Sequence, residues 1–107
     1  FAVGSTGIGN VALGYNPLIS NISGRYNVAI GNSALKSNTY GCCNIGLGYR
    51  ALYKNTSGKG NVVFGFYSLY FNTTGNFNTA LSTKTLRYNS TACNNKSISS
   101  PMLSSMM

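Results

Sequence analysis

The sequence of 107 residues contains no aspartate, no glutamate and no histidine. These residue types supply most general acids, general bases and hard-metal ligands in proteins. Catalytic triads, carboxylate pairs, histidine-containing zinc sites and calcium loops are therefore excluded. Tyr, Lys and Cys remain, but nothing in the sequence would tune or orient them. We expect a protein that is not an enzyme and that has no cofactor and no metal.

A long apolar run is also missing, because the longest one, residues 61–67, is interrupted by Gly65. Crossing a bilayer takes roughly 18 apolar residues, so we expect no membrane insertion and interpret this run as a buried strand. The chain begins at Phe1 without an initiator methionine or a charged-then-apolar leader. We therefore expect a processed product or a fragment of a longer protein.

Positive charge is present without negative charge, since eight Lys and Arg give a net charge of +8. Such a balance favours anionic partners in general. However, charged residues make up only 7% of the chain and form no run, so no polybasic anchor or arm is indicated. We expect a polar, mostly uncharged surface and no nucleic-acid partner.

An asparagine recurs every 17 residues without an insertion or a deletion. The unit is close to N-V-A-[LI]-G-Y-x-A-L-x-x-N-T-[ST]-G-x-x, and we number its positions from this asparagine. The first position is occupied by Asn10, Asn27, Asn44, Asn61, Asn78 and Asn95. The ninth position is occupied by Leu18, Leu35, Leu52, Leu69, Leu86 and Leu103. The twelfth position is occupied by Asn21, Asn38, Asn55, Asn72 and Asn89.

One such unit cannot bury its own apolar side, so units of this kind stack. The period predicts an all-β fold, a β-solenoid or β-roll of six stacked 17-residue coils, with coils starting at residues 10, 27, 44, 61 and 78. Residues 1–94 form the solenoid, and residues 95–107 form a degenerate last coil, a cap or a subunit-contact segment. At a strand spacing of about 4.8 Å, the leucines Leu18 to Leu86 form a core column and the asparagines form two ladders.

Within each unit, apolar second and fourth positions flank a small residue, which is the alternation of a short strand with one buried face. Glycine at the fifth position suits a corner with positive φ. The sixth to eleventh positions are a second strand or a single helical turn. The N-T-[ST]-G tetrads at 55–58 and 72–75 have turn chemistry, in which Asn bonds to the backbone and Gly adopts the αL conformation.

The N-V-A-I-G block at 27–31 and the N-V-V-F-G block at 61–65 carry a family resemblance, together with the Ala-Leu and Asn-Thr-Thr-Gly segments. They resemble the N-T-A-I-G-Y-x-A-L-x-x-N-T-T-G repeats of phage and algal-virus tail-fibre-like proteins and bacterial surface proteins. More distantly, they are similar to head repeats of trimeric autotransporter adhesins. The resemblance covers residues 10 to about 92 and implies an extracellular β-solenoid fibre, commonly a homotrimer, on a cell or virion surface. From Asn78 onward the pattern decays, with Ser82 at the corner and Ala92 in the turn.

Cys42, Cys43 and Cys93 make an odd number of cysteines. Cys42 and Cys93 share the sixteenth position but lie three coils apart, which is about 14 Å in a regular stack. A disulfide spans less than roughly 7 Å between Cα atoms, and adjacent cysteines seldom bond to each other. Two interpretations remain, namely inter-chain disulfides and free buried thiols.

Five N-x-[ST] sequons are present, at Asn21, Asn55, Asn72, Asn89 and Asn95. Four of them lie in the predicted turns, where an acceptor would be exposed. They are candidates for N-linked glycans, although the same tetrads favour a turn without any sugar.

Aromatic residues form partial columns at the sixth, tenth and eleventh positions, namely Tyr15, Tyr49, Phe66, Tyr53, Tyr70 and Phe71. Beside Lys and Arg, such a stripe binds sugars or, more often, packs between chains. We expect a structural module of an extracellular fibre that self-associates through stacked coils into a homo-oligomer, a trimer or a filament. The alternative is an adhesin that recognises cell-surface glycans through the aromatic and basic face.

Ice binding is a third and less favoured function. Thr39, Thr56 and Thr73 recur, but they lie in a turn and not on a regular Thr-x-Thr strand face.

Overall fold

The computed structural model describes residues 7–97, and this part of the chain is a β-solenoid with one parallel sheet of six strands. The strands are β1 (Val11–Leu13), β2 (Val28–Ile30), β3 (Ile45–Leu47), β4 (Val62–Phe64), β5 (Thr79–Leu81) and β6 (Lys96–Ser97). They follow one another in the sheet in sequence order. The predicted β-solenoid is therefore confirmed. Predictions on residues 1–6 and 98–107, including the cap and Leu103, lie outside the described residues.

The strands pair in the register that the repeat predicts. Val28 lies between Val11 and Ile45, and every other strand residue is likewise paired with the residue one repeat away. The pairing continues beyond the strands, because Leu35 N donates to Ala51 O at 3.0 Å. Like residues consequently lie above like residues along the whole coil.

The inward side of the sheet is formed by the small third position of the repeat. Ala29, Val63 and Ala80 are completely buried, whereas Leu13 and Phe64 at the fourth position are 58% and 43% exposed. The third-position residues contact the leucine column: a methyl group added to Gly46 would lie in ordinary contact, 3.6 Å from the Leu35 side chain. None of these inward residues is larger than valine, and the leucines, isoleucines and phenylalanine of the strands face outward.

The hydrophobic core is a column of leucines with small residues around it. The column leucines are at most 1% exposed, and they are Leu18, Leu35, Leu52, Leu69 and Leu86. Alanines of the third and eighth positions and Val63 complete the same cluster. Burial of a leucine side chain stabilises a fold by about 1.5–3 kcal/mol, so this column is the main hydrophobic contribution.

The sixth to eleventh positions form a series of turns and are neither a strand nor a helical turn in residues 7–97. The seventh and ninth positions have positive φ in every described coil, including 57° at Arg50 and 53° at Leu52. Left-handed backbone costs a non-glycine residue about 1–2 kcal/mol. Coil-to-coil hydrogen bonds and leucine burial offset this cost.

The glycine corners at the fifth position have φ between 116° and 130° at Gly14, Gly31, Gly48 and Gly65. The fifth coil has Ser82 there, without positive φ. The Ser82 carbonyl accepts hydrogen bonds from the hydroxyl groups of Ser68 and Thr85. These hydroxyl residues occupy the eighth position, where the second and third coils have Ala34 and Ala51, so the change at the eighth position begins one coil before the change at the corner.

Two substitutions in strand β3 and its corner test this backbone. Gly48→Ala should lower the free energy of unfolding by about 2–3 kcal/mol, because φ is +130° and the new Cβ would lie 2.9 Å from the Gly65 carbonyl. Gly46→Ala, two residues earlier, should raise it by about 0.4–1 kcal/mol, because alanine fits there and stiffens the unfolded chain. Urea unfolding of both variants measures the difference, and equal stabilities would contradict the corner assignment.

Candidate functional site

The first-position asparagines form a hydrogen-bonded ladder inside the stack. The side-chain carbonyl of Asn27 accepts from both the backbone N–H (3.0 Å) and Nδ2 (3.1 Å) of Asn44. Asn44 Nδ2 also donates to Gly58 O at 2.9 Å, within its own coil. The same pattern occurs at Asn27, Asn61 and Asn78. Each amide therefore joins two coils and closes its own coil.

The twelfth-position asparagines form a second ladder that meets the first. Asn55 Nδ2 donates to Asn38 Oδ1 at 2.8 Å and to Gly58 O at 3.1 Å. The Gly58 carbonyl thus accepts from Asn44 and Asn55 together. Equivalent pairs converge on Gly24, Gly41, Gly75 and Ala92. Both ladders and the turn form one continuous polar interior.

Glycine at the fifteenth position is explained by crowding. A Cβ on Gly41 would lie 2.4 Å from Gly58 O and 2.5 Å from Asn38 Oδ1. The expectation that the turn glycines adopt the αL conformation is wrong, because Gly41, Gly58 and Gly75 lack positive φ. The hydrogen bond from Asn55 to its own turn does form.

The expectation that the turn sequons are exposed is also wrong. Four of the sequon asparagines are 0% exposed, namely Asn21, Asn55, Asn72 and Asn89. In Asn55, Asn72 and Asn89 both Nδ2 hydrogens are donated. Asn95 is half-buried, and its Nδ2 donates to Asn78 and Asn89. A glycan on these nitrogens would replace a ladder hydrogen, so the folded coil does not accommodate it.

Replacing one ladder amide by a carboxylate measures what the ladder contributes. Asn55→Asp removes two donated hydrogen bonds and places a charge in the interior, so it should lower the free energy of unfolding by about 3 kcal/mol or more. Asn32→Asp adds the same charge at an exposed position and should change it by less than about 0.5 kcal/mol. If urea unfolding shows a loss for Asn55→Asp as small as that expected for Asn32→Asp, the ladder contributes little to stability.

An aromatic cluster covers the turn side of the third to fifth coils. The ring pairs Tyr49–Phe66, Tyr53–Tyr70 and Phe71–Tyr88 stack with centroids 5.0–5.5 Å apart. Tyr67 joins the rows through edge contacts with Tyr49 and Phe66. The stacked ring faces point at one another along the axis. The cluster therefore offers few free ring faces to a ligand.

Two arginines are inserted among these rings. Arg50 Cζ lies 5.1 Å from the centroids of both Tyr49 and Tyr53, and Arg87 Cζ lies 5.1 Å from Tyr67 and 5.3 Å from Tyr88. Burial opposes the charge of Arg50, but the surrounding tyrosines outweigh it, so its pKa lies above the ordinary value. With no carboxylate side chain in the sequence, cation–π contacts take the place of ion pairs.

The sequence predicts part of this cluster and cations beside it, but not Tyr67, Tyr88 or the insertion of Arg50 and Arg87 between the rings. Tyr67 is at the seventh position, directly after Phe66 of the sixth-position column, and this adjacency is the sequence signal that could have identified it. Tyr15, which the sequence grouped with the stripe, is 68% exposed.

A second surface is the outer face of the sheet, which we call the strand face and define by the second and fourth positions of β1 to β5. Its exposed members are Val11, Leu13, Ile30, Phe64 and Leu81, and its half-buried members are Val28, Ile45, Leu47, Val62 and Thr79. The strand face carries no charged residue. Five strands at about 4.8 Å make an apolar stripe on the order of 20 Å long.

The turn threonines face the stack. Thr39 and Thr56 Oγ1 each donate to the carbonyl of the threonine one coil further on, at 3.3 Å. Thr73 Oγ1 makes the equivalent bond to Ser90 O at 3.4 Å. Each of these hydroxyl groups therefore uses its one hydrogen-bond donor within the stack.

Residues 7–97 contain no concave pocket, no group of three metal-binding side chains and no helix able to cross a bilayer. Comparison of the chain with protein-family models, curated proteins and solved structures finds no match in any of the three.

The absence of Asp, Glu and His makes a pH prediction possible. Stability depends on pH only where the folded and unfolded states bind different numbers of protons. The side chains whose reference pKa values lie in or next to the window from about pH 4.5 to pH 7 are those of Asp, Glu and His, and the sequence has none of them. The free energy of unfolding in urea should therefore stay constant within about 0.5 kcal/mol across that window. A decrease in the free energy of unfolding of more than about 1.4 kcal/mol across this window would contradict this expectation, because that is the free energy of a shift of one pKa unit.

Proposed function

We propose that this chain is a structural repeat module of an extracellular fibre and that it self-associates side by side through its strand face. The observation that carries the proposal is the outward apolar stripe on a fold whose core is already filled by leucines. Soluble monomers rarely expose a contiguous apolar patch of more than a few hundred Å². A fibre subunit covers such a patch by assembly.

A second copy of the chain is the occupant that fits best. Both copies would present strands at the same axial spacing of about 4.8 Å, so the fourth-position side chains of one copy can lie between those of the other. The net charge of +8 repels two copies in general, but none of it lies on the strand face of β1 to β5. Two chains can therefore meet through β1 to β5 without a cation in the contact, because the only strand cation among the described residues is Lys96 of β6, which pairs with Thr79.

The structure gives less support to the two other functions. The aromatic rings that a sugar would stack on are stacked on each other or on arginine. The hydroxyl groups of the turn threonines donate hydrogen bonds to backbone carbonyls of the next coil. The stacked rings and the turn hydroxyl groups are therefore already engaged within the fold, and the exposed tyrosines Tyr15, Tyr26 and Tyr40 are not among the ring pairs of the cluster.

Charges placed on the strand face test the proposal. Ile30→Lys and Phe64→Lys should each weaken self-association at least about tenfold, or 1.4 kcal/mol, because a lysine would be desolvated at the interface. Thr74→Lys adds the same charge at an exposed turn position and should leave association unchanged. Sedimentation velocity near physiological salt, where surface repulsion is screened beyond about 8 Å, measures the oligomeric state.

A wild-type chain that stays monomeric at its highest soluble concentration would contradict the proposal. So would assembly that responds to Thr74→Lys as strongly as to Phe64→Lys. Electron micrographs of the wild type should show filaments or uniform bundles.

A further inference from the structure

The adjacent residues Cys42 and Cys43 bring two thiols together on the surface of the second coil. Their Sγ atoms are 2.9 Å apart, with Cys42 half-buried and Cys43 exposed. The backbone on each side is held by neighbouring coils: Cys43 N donates to Arg25 O at 3.0 Å, and Gly60 N donates to Cys42 O at 3.1 Å. The stack therefore holds the two sulfurs against each other.

The surroundings of the pair divide the roles of its two thiols. The hydrogen bond to Cys42 raises the pKa of Cys43 and outweighs the opposing effect of the nearby cations Lys59 and Arg25. The Cys43 thiol thus stays protonated and is the donor of the hydrogen bond that Cys42 Sγ accepts. The same two cations stabilise a thiolate formed in this pair.

We propose that Cys42 and Cys43 form a redox-active dithiol that closes reversibly into a disulfide within one chain, with low-molecular-weight disulfides as the oxidant. The Cys42 thiolate attacks one sulfur of the oxidant, which gives a mixed disulfide and one released thiolate. The Cys43 thiolate then attacks Cys42 Sγ and displaces the second small thiolate. Two electrons pass from the protein dithiol to the oxidant, and the two protons of the cysteines end on the two small thiols.

Reversibility follows from the geometry of neighbouring residues. Their Cα atoms are about 3.8 Å apart across a trans peptide, whereas most disulfides separate Cα atoms by about 4.4–6.8 Å. Strained and exposed disulfides are the readily reduced ones. The pair would therefore respond to the redox state of its surroundings, unlike a permanent cross-link.

This assignment changes the expectation for inter-chain disulfides. An oxidised Cys42–Cys43 pair has no thiol left for another chain. Cys93 is exposed and lies about 14 Å along the stack from Cys42. An inter-chain disulfide of the oxidised protein would have to use Cys93.

The test uses the full chain with oxidised glutathione, followed by alkylation and intact-mass measurement under denaturing conditions. In Cys93→Ser, the product should have lost two hydrogens and carry neither glutathione nor alkyl group, and dithiothreitol should restore both thiols. In Cys42→Ser/Cys93→Ser and Cys43→Ser/Cys93→Ser, one glutathione should remain attached, because no second thiol can displace it.

Stable glutathione adducts on Cys93→Ser, or thiols of this variant that are still alkylated after oxidation, would overturn the proposal. Disulfide-linked dimers of Cys93→Ser on non-reducing gels would overturn it as well. Thermal unfolding of the three variants under reducing conditions controls for the fold, because the serines replace surface thiols and should leave it intact.

Discussion

The side-chain amide of asparagine is the group on which this structure depends. In each coil it accepts from the coil that follows, donates to the coil that precedes and bonds to a turn carbonyl of its own coil. A buried amide without partners would cost about 1–3 kcal/mol, so each amide is acceptable only while its neighbours in the column are also asparagine. This mutual requirement accounts for the constant 17-residue period and for glycine at the fifteenth position, where the two ladders converge.

The polar interior has a consequence for the surface. Asparagines and leucines fill most of the core, and the inner side of each strand holds a residue no larger than valine, from Gly46 and Ala29 to Val63. The bulky residues of the strands must then face outward. The apolar strand face, which we propose as the site of self-association, is therefore a result of how the coil is filled. Of the cationic residues, Arg50 and Arg87 lie among the aromatic rings, whereas Lys96 of β6 continues the sheet beyond Thr79 of the strand face.

The stacking of the coils could be predicted from the sequence, because an uninterrupted period leaves one register in which Leu35 and Leu52 are neighbours. Which face of the strand is buried could not be predicted from the sequence, because a V-A-I segment alternates in the same way whether its alanine or its larger residues face inward. The burial of Asn55 was missed since N-T-S-G is equally a signature of an exposed turn. The left-handed backbone at Leu52 was missed because no residue preference marks it. The Sγ–Sγ contact of Cys42 and Cys43 depends on backbone geometry that composition does not reveal.

The stacked register is tested most directly by nuclear Overhauser effects between leucine methyl groups of a selectively labelled chain. Cross-peaks are expected between Leu35 and Leu52 and between Leu52 and Leu69, because consecutive coils lie about 4.8 Å apart. Much weaker or absent cross-peaks are expected between Leu35 and Leu69, two coils or about 9.6 Å apart. Absence of the two nearest-neighbour cross-peaks in the folded chain would contradict the solenoid and everything inferred from it.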